Sequence, residues 1–167
     1  SGTDRVAEAA SASNAAIIVN IQADEPMIDP AAIDAAVLGL LDQEDAPMAT
    51  LKKPIEDLGE VTDPNVVKVV TDRAGDALYF SRSPIPHARA NGEHTVYFKH
   101  IGLYVYRREF LLGYSDLPVG PLERAERLEQ GAGHCQFAIA RAVPAQWAQR
   151  AAAHHSPAKH LLARSGC

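Results

Sequence analysis

The 167-residue chain is 47% hydrophobic and 22% charged, a composition that suits one globular domain and excludes a disordered protein. Its net charge of −5 argues against binding to nucleic acid through the phosphates, and two cysteines are too few for a disulfide framework or a zinc site. No apolar run approaches the roughly 20 residues that cross a bilayer, so we expect a cytoplasmic protein without membrane insertion.

The first predicted elements are a helix and a strand. Ser1 followed by Asp4 resembles a capping box, which predicts a helix from Gly2 to about Ser11 with backbone N–H groups at its start for a ligand. The apolar run from Ala16 to Gln22 predicts a strand buried on both faces of a parallel sheet.

Polar residues follow directly at the carboxyl end of this strand. Gln22, Asp24 and Glu25 need water, a cation or a hydrogen-bonding ligand, and ligands of open α/β sheets bind at such strand ends. Asp24 is therefore a candidate ligand of Mg²⁺, which takes one or two carboxylates and otherwise binds water and phosphate oxygens. The alternative, slightly favoured by this motif alone, is that the acids only solvate a turn before Pro26.

The next elements complete a strand–helix–strand unit. Residues 29–43 predict a helix with Asp29 as N-cap and Pro30 at its first position, and "PMATL" predicts a second strand. Such a unit indicates a largely parallel sheet covered by helices.

A hairpin and a loop come next in the chain. "NVVKVVTD" and "ALYFSR" flank the turn residues "RAGD", which predicts two antiparallel strands and makes the sheet mixed. Arg82 ends the second strand, where it could clamp a carboxylate or form an ordinary surface salt bridge. Residues 82–95 then predict a loop of the kind that covers a site.

The stretch "YFKHIGLYVY" predicts a strand with a polar slot on one face. Its period of two aligns Phe98, His100, Gly102, Tyr104 and Tyr106, so an imidazole and a phenol flank a residue without a side chain. The alternatives are that Gly102 marks a bulge and that His100 is a hydrogen-bonded core histidine.

The last predicted helix covers residues 120–130. Pro121 suits its first position, and Leu122, Ala125 and Leu128 are expected on its inner side. Glu126 lies beside this apolar stripe, where it could face a pocket or belong to a solvated flank.

The charge pattern divides the chain near residue 130. Residues 131–167 contain no acid, although they hold four of the seven histidines and both cysteines. We expect residues 1–130 to be a domain fragment, because the chain starts without Met and inside a structural unit, and residues 131–167 to be an atypical Ala-, His- and Arg-rich tail. We hypothesise that the tail is read from a shifted frame; the alternative is a genuine tail with a helix around 145–153.

Seven segments of residues 1–130 carry a resemblance to a known family: "SGTDR", "NIQADEPMI", "MATL", "DPNVVKVV", "ALYFSRSPIP", "KHIGLYVYRREFL" and "PLERAERLEQ". In this order and spacing they resemble the 3-deoxy-manno-octulosonate cytidylyltransferases, or CMP-Kdo synthetases. The resemblance implies a nucleotidyltransferase-like α/β three-layer sandwich with a mostly parallel mixed sheet, incomplete at both ends. It also implies transfer of a cytidylyl group from CTP to Kdo with Mg²⁺, for lipopolysaccharide synthesis, in an enzyme that is a homodimer when intact.

The same resemblance implies roles for individual residues. Asp24 matches the magnesium ligand and, with Arg82, is expected to be catalytic. The positions expected to bind the substrates are Gly2, Thr3, Gln22, Arg82, His100, Tyr104 and Glu126.

Two departures from the family pattern keep other functions open. The loop that wraps the CTP phosphates, the final strand and the segment with a second magnesium carboxylate have no counterpart in the sequence, so we expect weak catalysis at most. One alternative is a non-catalytic fragment that binds sugar acid or dimerises through the "YFKHIGLYVY" region. The other is a metal-dependent nucleotide-sugar glycosyltransferase, which ranks lower because the acids read "DE" instead of "DxD".

Overall fold

A six-stranded sheet with helices packed on both faces organises the described part of the chain. The computed structural model describes residues 2–23, 25, 27–89, 95–128 and 140–144, the last of these by their backbone alone. The helices are α1 (Gly2–Ser11), α2 (Pro30–Leu41), α3 (Gly59–Thr62), α4 (Arg108–Leu112) and α5 (Pro121–Glu126). The strands are β1 (Ile17–Ile21), β2 (Met48–Pro54), β3 (Lys68–Thr71), β4 (Ala77–Ser81), β5 (Phe98–Arg107) and β6 (Ala140–Pro144).

β5 is the central strand of this sheet. One of its edges pairs with β2, and the other edge pairs with β1 from Leu103 to Arg107 and with β3 at Lys99. The sheet continues through β4 beyond β3 and through β6 beyond β2. Two short strands therefore share one edge of β5, one near each of its ends.

The α/β class is confirmed, but the expectation of a mostly parallel sheet is wrong for the described strands. Only β2 and β6 pair in parallel, and the other four pairings are antiparallel. The cause is β5, which lies between β1 and β2 and runs opposite to both. β1 and β2 still share one direction, as the strand–helix–strand pattern predicts, but a strand from much later in the chain separates them.

Two apolar clusters cover the two faces of the sheet and give the fold its three layers. Alternate residues of β5 divide between them: Tyr104 and Tyr106 join the cluster under α1 and α4, while Leu103 and Val105 join the cluster under α2. The predicted shared face of β5 is thus confirmed. Leu103 and Val105 are fully buried, which fixes the register of β5 because a shift by one residue would expose them.

Two consecutive arginines at the end of β5 fasten one helix on each face. Arg107 donates hydrogen bonds of 2.9 to 3.1 Å to three carbonyl oxygens around the end of α2, those of Leu40, Gln43 and Ala46. Arg108 does the same at the end of α1, where its Nε donates to the carbonyl oxygens of Ala10 and Ser13. The carbonyl groups at a helix end lack partners within the helix, and a cation there also complements the helix dipole.

Several predicted elements are confirmed. α2 begins after Asp29, whose Oδ1 accepts a 2.9 Å hydrogen bond from the Ala31 N–H, with Pro30 at the first helical position. β3 and β4 form the predicted antiparallel hairpin, and α1 has the predicted bounds. No helix of the described residues is both long and apolar enough to traverse a bilayer.

Other predictions about local structure are wrong. β1 is not buried on both faces, because Val19 and Ile21, which share one face, are about 40% exposed; among the described strands it pairs with β5 alone. α5 ends at Glu126 because Arg127 takes a left-handed conformation with φ of 53°, and Leu122 faces solvent. The short helices α3 and α4 lack the periodicity that predicts longer ones.

The second part of the region expected to form a subunit interface, "YFKHIGLYVY", lies inside the fold, whereas residues 97–102 are partly exposed. Residues 103–106 are all buried, and strands occupy both edges of this part of β5. A dimer could therefore not use them without opening the sheet.

The acid-free tail contributes β6 to the sheet. We expected no strand after residue 130, but the backbone of Ala140–Pro144 pairs in parallel with Met48–Lys52. Residues 129–139 and 145–167, including the alternative helix around 145–153, lie outside the described residues. The domain boundary and the shifted reading frame thus stay predictions.

Candidate active-site cleft

A cleft of about 1350 Å³ lies where the two short strands part along β5. On one side the Gln22 N–H donates a 3.0 Å hydrogen bond to the Gly102 carbonyl oxygen and extends β1 by one residue. On the other side the His100 N–H donates at 2.8 Å to the Val67 carbonyl oxygen, just before β3. The segments that follow β1 and precede β3 diverge at Ile101, and the cleft opens between them.

Most of the substrate-binding residues named from the sequence meet at this cleft. Those that line it are Gly2, Thr3, Gln22, Arg82, His100 and Tyr104. Asp24 lies outside the described residues, but Ala23 and Glu25 on either side of it line the cleft. Glu126 is not among the described lining residues, and its carboxylate binds residues at the end of β4 instead.

Glu126 ties α5 to the end of β4. Its Oε1 accepts hydrogen bonds from the hydroxyl groups of Tyr79 at 3.0 Å and Ser81 at 2.6 Å, and its Oε2 accepts from the Arg82 N–H at 3.1 Å. Burial alone would raise the pKa of Glu126, but these hydrogen bonds and the nearby Arg82 charge outweigh it and lower the pKa below its ordinary value. The carboxylate is therefore charged and fully engaged with β4.

Arg82 is oriented by backbone carbonyl oxygens at the rim of the cleft. Its Nε donates to the Glu126 carbonyl oxygen at 3.2 Å, and its Nη1 donates to that of Pro64 at 2.8 Å. These two acceptors are neutral, but the Glu126 carboxylate lies close enough to interact with the guanidinium charge. The Arg82 Nη2 donates to no residue that the structure describes, so this group can still donate to an anion.

His100 forms part of the cleft wall as a neutral ring. Its Nε2 lies 2.7 Å from the Thr50 Oγ1, and its ring stands edge-on to Phe80 at 5.3 Å and tilted against Tyr104 at 5.3 Å. The packing of these neighbours against the ring removes part of its solvation, and this burial lowers the pKa of His100 to about 4. Both views from the sequence hold in part, since the histidine has a core partner and also lines the cleft.

The side chain of Gln22 fills the slot expected beside Gly102. A Cβ atom added to Gly102 would lie 3.1 Å from the Gln22 Oε1 and 3.4 Å from its Cβ and Cδ. Gly102 also lies at a β-bulge, because the register of β2 against β5 jumps between Thr50 and Leu51. The predicted slot and its bulge alternative are thus two aspects of one feature.

The described lining of the cleft carries more positive than negative charge, although the whole chain has a net charge of −5. Two of its cations come from the ends of neighbouring strands, Lys53 on β2 and Lys99 on β5. Lys99 is paired with both carboxylate oxygens of Glu60, at 2.6 and 2.8 Å. The charged residues among the described lining are Lys53, Arg82, Lys99 and Arg127 against Glu25 and Asp29.

Two buried polar residues of β2, next to the cleft lining, were not predicted from the sequence. Thr50 is fully buried next to His100, and Lys52 is buried with its Nζ 2.5 Å from the Thr71 Oγ1 and 4.7 Å from the centre of the Phe98 ring. Burial lowers the pKa of Lys52, which the negative charge of Asp72 partly offsets. The sequence changes from the apolar "MATL" to "KK" within this strand. This change could have predicted that the carboxyl end of β2 lies in a polar environment.

The described residues fit a magnesium site of the open type and not a closed protein cage. No group of three or more His, Cys, Asp or Glu side chains gathers in the described part of the chain. Mg²⁺ commonly needs only one or two carboxylates, with water and phosphate oxygens as its other ligands. Gln22 and Glu25 provide hard oxygen atoms in the cleft lining on either side of position 24.

Comparisons with known proteins agree with this architecture. The model of a family described as cytidylyltransferase matches residues 1–141. A 3-deoxy-manno-octulosonate cytidylyltransferase of Solibacter usitatus is 73% identical over 130 residues, which cover 78% of this chain and 52% of that protein. The corresponding protein of Syntrophotalea carbinolica is 55% identical over 137 residues, which cover 77% and 55%.

A solved structure is also similar, that of CMP:2-keto-3-deoxy-manno-octonic acid synthetase complexed with CTP. It superposes with a TM-score of 0.81 at 38% identity and covers 96% of this chain and 69% of the other. The chain spans about half the length of the curated relatives it matches. From the matched family model and these relatives, the chain belongs to the cytidylyltransferase family, among the CMP-Kdo synthetases.

Proposed function

We propose that the cleft beside β5 binds CTP and Kdo and that the protein transfers the cytidylyl group of CTP to Kdo, with release of pyrophosphate. The observation that carries the proposal is the convergence of Gln22, Arg82, His100 and Tyr104 at the point where β1 and β3 part. An excess of positive charge among the described lining residues suits two anionic substrates.

The cleft offers different chemistry to the two ends of a sugar acid. Arg82 is held by neutral carbonyl groups, so its guanidinium can pair with a carboxylate. His100 and Tyr104 lie in ring contact, and as neutral polar groups they suit sugar hydroxyl groups. We therefore assign the carboxylate of Kdo to Arg82 and its hydroxyl groups to the aromatic wall.

The nucleotide is assigned to the opposite side of the cleft. Gly2 and Thr3 begin α1 at its rim, where the helix dipole favours an anion. Gln22 is a candidate for hydrogen bonding to the cytidine or the sugar acid. Lys53 adds a cation among the lining residues, where it can stabilise phosphate charge.

The proposed reaction needs no protein nucleophile. The anomeric hydroxyl of Kdo attacks the α-phosphorus of CTP, pyrophosphate leaves, and the residues of the cleft contribute by orienting both substrates and compensating their charge. Asp24, with Glu25 beside it, would hold Mg²⁺, which when bound neutralises phosphate charge. Glu126 is proposed to act by positioning Arg82, since its carboxylate accepts from the Arg82 N–H; its contact with the sugar stays a prediction.

Pyrophosphate release tests the proposed activity. The chain is mixed with CTP, Kdo and Mg²⁺, and pyrophosphate is followed with an enzyme-coupled assay; omission of Kdo or addition of EDTA should abolish release. Asp24→Asn should lower turnover far more than thermal stability, because a carboxylate at a strand end is easily replaced by an amide in the fold but not as a metal ligand. Turnover of Asp24→Asn equal to that of the unmodified chain, with the same magnesium requirement, would refute the metal role.

Titration with Kdo alone separates catalysis from binding. Heat of binding without pyrophosphate release would favour the non-catalytic alternative, and absence of both would refute the assignment of substrates to the cleft. Arg82→Ala should raise the requirement for Kdo more than that for CTP, whereas Arg73→Ala, in the exposed β3–β4 turn, should change neither.

The cellular setting follows from the proposed reaction. CMP-Kdo would supply lipopolysaccharide synthesis, and CTP places this step in the cytoplasm. The homodimer stays a prediction, which light scattering behind a gel-filtration column would test.

A further inference from the structure

The hydroxyl group of Thr50 lies between three polar atoms of β5. Its Oγ1 is 2.7 Å from the Leu103 carbonyl oxygen, 3.4 Å from that of Ile101 and 2.7 Å from the His100 Nε2. Thr50 is fully buried, so water does not reach this group. The hydrogen bonds at Oγ1 must therefore be satisfied by the protein.

The hydrogen atoms available at the Thr50 Oγ1 determine which ring nitrogen of His100 is protonated. A hydroxyl group has one hydrogen to donate, and a carbonyl oxygen can only accept. The short distance to Leu103 assigns the Thr50 hydrogen to that carbonyl oxygen, with Ile101 as a weaker second acceptor. The remaining 2.7 Å contact is a hydrogen bond only if the His100 Nε2 carries a hydrogen and donates it to Oγ1.

The β-bulge makes this arrangement possible. Thr50 is opposite Tyr104, whereas the next residue, Leu51, is opposite Ile101, so β5 has additional residues at this point. The carbonyl groups of Ile101 and Leu103 can then both approach one hydroxyl group. A regular ladder would engage such carbonyl groups with the neighbouring strand.

The other ring nitrogen of His100 remains available to a ligand. Nδ1 makes no hydrogen bond to any residue that the structure describes, and His100 lines the cleft. The side-chain atoms that are buried without a partner in the described residues are the Asp76 Oδ1 and the Glu123 Oε2. Nδ1 is not one of them, so it is open to the cleft.

We infer that Thr50 is a positioning residue that holds His100 in its Nε2–H tautomer and so presents Nδ1 to the cleft as a hydrogen-bond acceptor for a hydroxyl group of the sugar acid. The ligand assignment rests on the proposed function, whereas the tautomer does not. A bare Nδ1 attracts a hydroxyl donor and repels a carboxylate or phosphate oxygen. Thr50 thereby contributes to the orientation of the substrate without touching it.

The tautomer can be measured directly in the unmodified chain. Long-range ¹H–¹⁵N correlation spectra at neutral pH distinguish a protonated from a bare ring nitrogen, and His100→Gln identifies the signals by their loss. We expect a bare Nδ1 and a protonated Nε2 in the unmodified chain and in Thr50→Ser. Thr50→Val keeps the shape of the side chain but removes the acceptor, and it should give a mixture of tautomers. A protonated Nδ1 in the unmodified chain, or an unchanged tautomer in Thr50→Val, would overturn the inference.

Titration with Kdo then tests the link to the ligand. Thr50→Val should raise the Kd for Kdo by the inverse of the fraction that keeps the Nε2–H tautomer, about twofold for an even mixture, while Thr50→Ser should leave the Kd unchanged. Thr62→Val is the matched control, since its hydroxyl group also donates to a carbonyl oxygen, that of Gly59 at 3.2 Å, but lies exposed on α3. It should not change the Kd.

The two measurements separate failure of the inference from failure of the proposed function. If the unmodified chain binds Kdo and Thr50→Val binds it equally well, the role of Thr50 is refuted and the function stands. If no variant binds Kdo, the function fails, and the spectra alone decide the tautomer. Should Thr50→Val fail to fold, the spectra of the unmodified chain and of Thr50→Ser still decide it.

Discussion

The two halves of β5 belong to one continuous strand but have different surroundings. The half from Leu103 to Arg107 has strands on both edges, and four of its residues in succession are buried. The half from Phe98 to Gly102 is only partly buried, and its second edge meets β3 at a single described pair. The bulge opposite Thr50 separates the two halves.

This difference shows how one strand can serve both stability and binding. The closed half, Leu103 to Arg107, fixes the register of the sheet, and its last residue, Arg107, anchors α2, while the next residue, Arg108, anchors α1 on the other face. The open half, Phe98 to Gly102, leaves its side chains facing a cleft because neighbouring chains part there. Substitutions in the closed half should therefore change stability, and those in the open half should change binding or its dependence on conditions.

Arg107→Ala should have the largest effect, on the closed half. It removes three partly buried hydrogen bonds from a cation to the carbonyl oxygens around the end of α2, and we expect a loss of about 3 kcal/mol in the free energy of unfolding. Urea denaturation followed by circular dichroism measures this loss. Arg107→Lys should recover only part of it, because one ammonium group cannot reproduce the planar fork.

Arg124→Ala is the control for this prediction. Arg124 makes one exposed hydrogen bond, to the Val119 carbonyl oxygen at 3.2 Å, so its loss should cost less than about 0.5 kcal/mol. Equal effects of the two substitutions would contradict the role of Arg107 as a helix anchor.

The fold could be predicted from the sequence as far as its local patterns reach. The period of two in β5, the N-cap at Asp29 and the turn between β3 and β4 each depend on neighbouring residues, and each is confirmed. The order of the strands depends on pairing between distant segments, which no local pattern encodes. The insertion of β5 between β1 and β2 was therefore missed.

Lowering the pH should decrease the free energy of unfolding, because His100 in the open half is harder to protonate in the folded protein than in the unfolded chain. Its pKa is about 4 in the folded protein, against an ordinary value of 6.5, so the unfolded chain binds the proton first as the pH falls. Stability should then decrease between about pH 6.5 and pH 4, by about 2 kcal/mol once solvent in the cleft is allowed for. Urea denaturation at several pH values measures the slope.

His100→Gln should remove this part of the pH dependence. His87→Gln, in an exposed loop, should retain it because His100 is still present. A slope that persists in His100→Gln would assign the acid sensitivity to other groups.

Gly102→Ala should have a smaller effect on stability, because the clash falls on a side chain that can move. The new Cβ would meet the Gln22 Oε1 at 3.1 Å, and Gln22 is exposed, so we expect a cost of about 1 kcal/mol or less and a displaced Gln22. In a Gln22→Ala background the cost should vanish, which a double-mutant cycle measures. Gly113→Ala is the control, since its nearest atoms would lie at 3.8 Å.

The candidate site was predictable where the chemistry of a residue is visible in its own segment. Gln22, Arg82 and His100 stand out at strand ends or beside a glycine, and all three line the cleft. Thr50 could not be recognised, because its importance arises from a bulge in another strand. The contacts of Glu126 with the end of β4 could not be recognised either, because they depend on where α5 ends, and a helix end is difficult to locate from sequence.

The smallest effect is expected from the ion pair between Lys99 in the open half and Glu60 on α3. Their side chains are 24% and 31% exposed, so the coupling free energy in a Lys99→Met, Glu60→Gln cycle should be about 0.5 kcal/mol and should decrease as salt is added. Binding of a sugar acid should distinguish the partners more clearly than stability does. Lys99→Met removes a cation from the cleft and should weaken binding about two- to threefold, the usual effect of one partly exposed charge. Glu60→Gln instead leaves Lys99 without its partner carboxylate and should leave binding unchanged or strengthen it. If both substitutions weaken binding equally, Lys99 serves the fold through its pair and its charge does not act on the ligand directly.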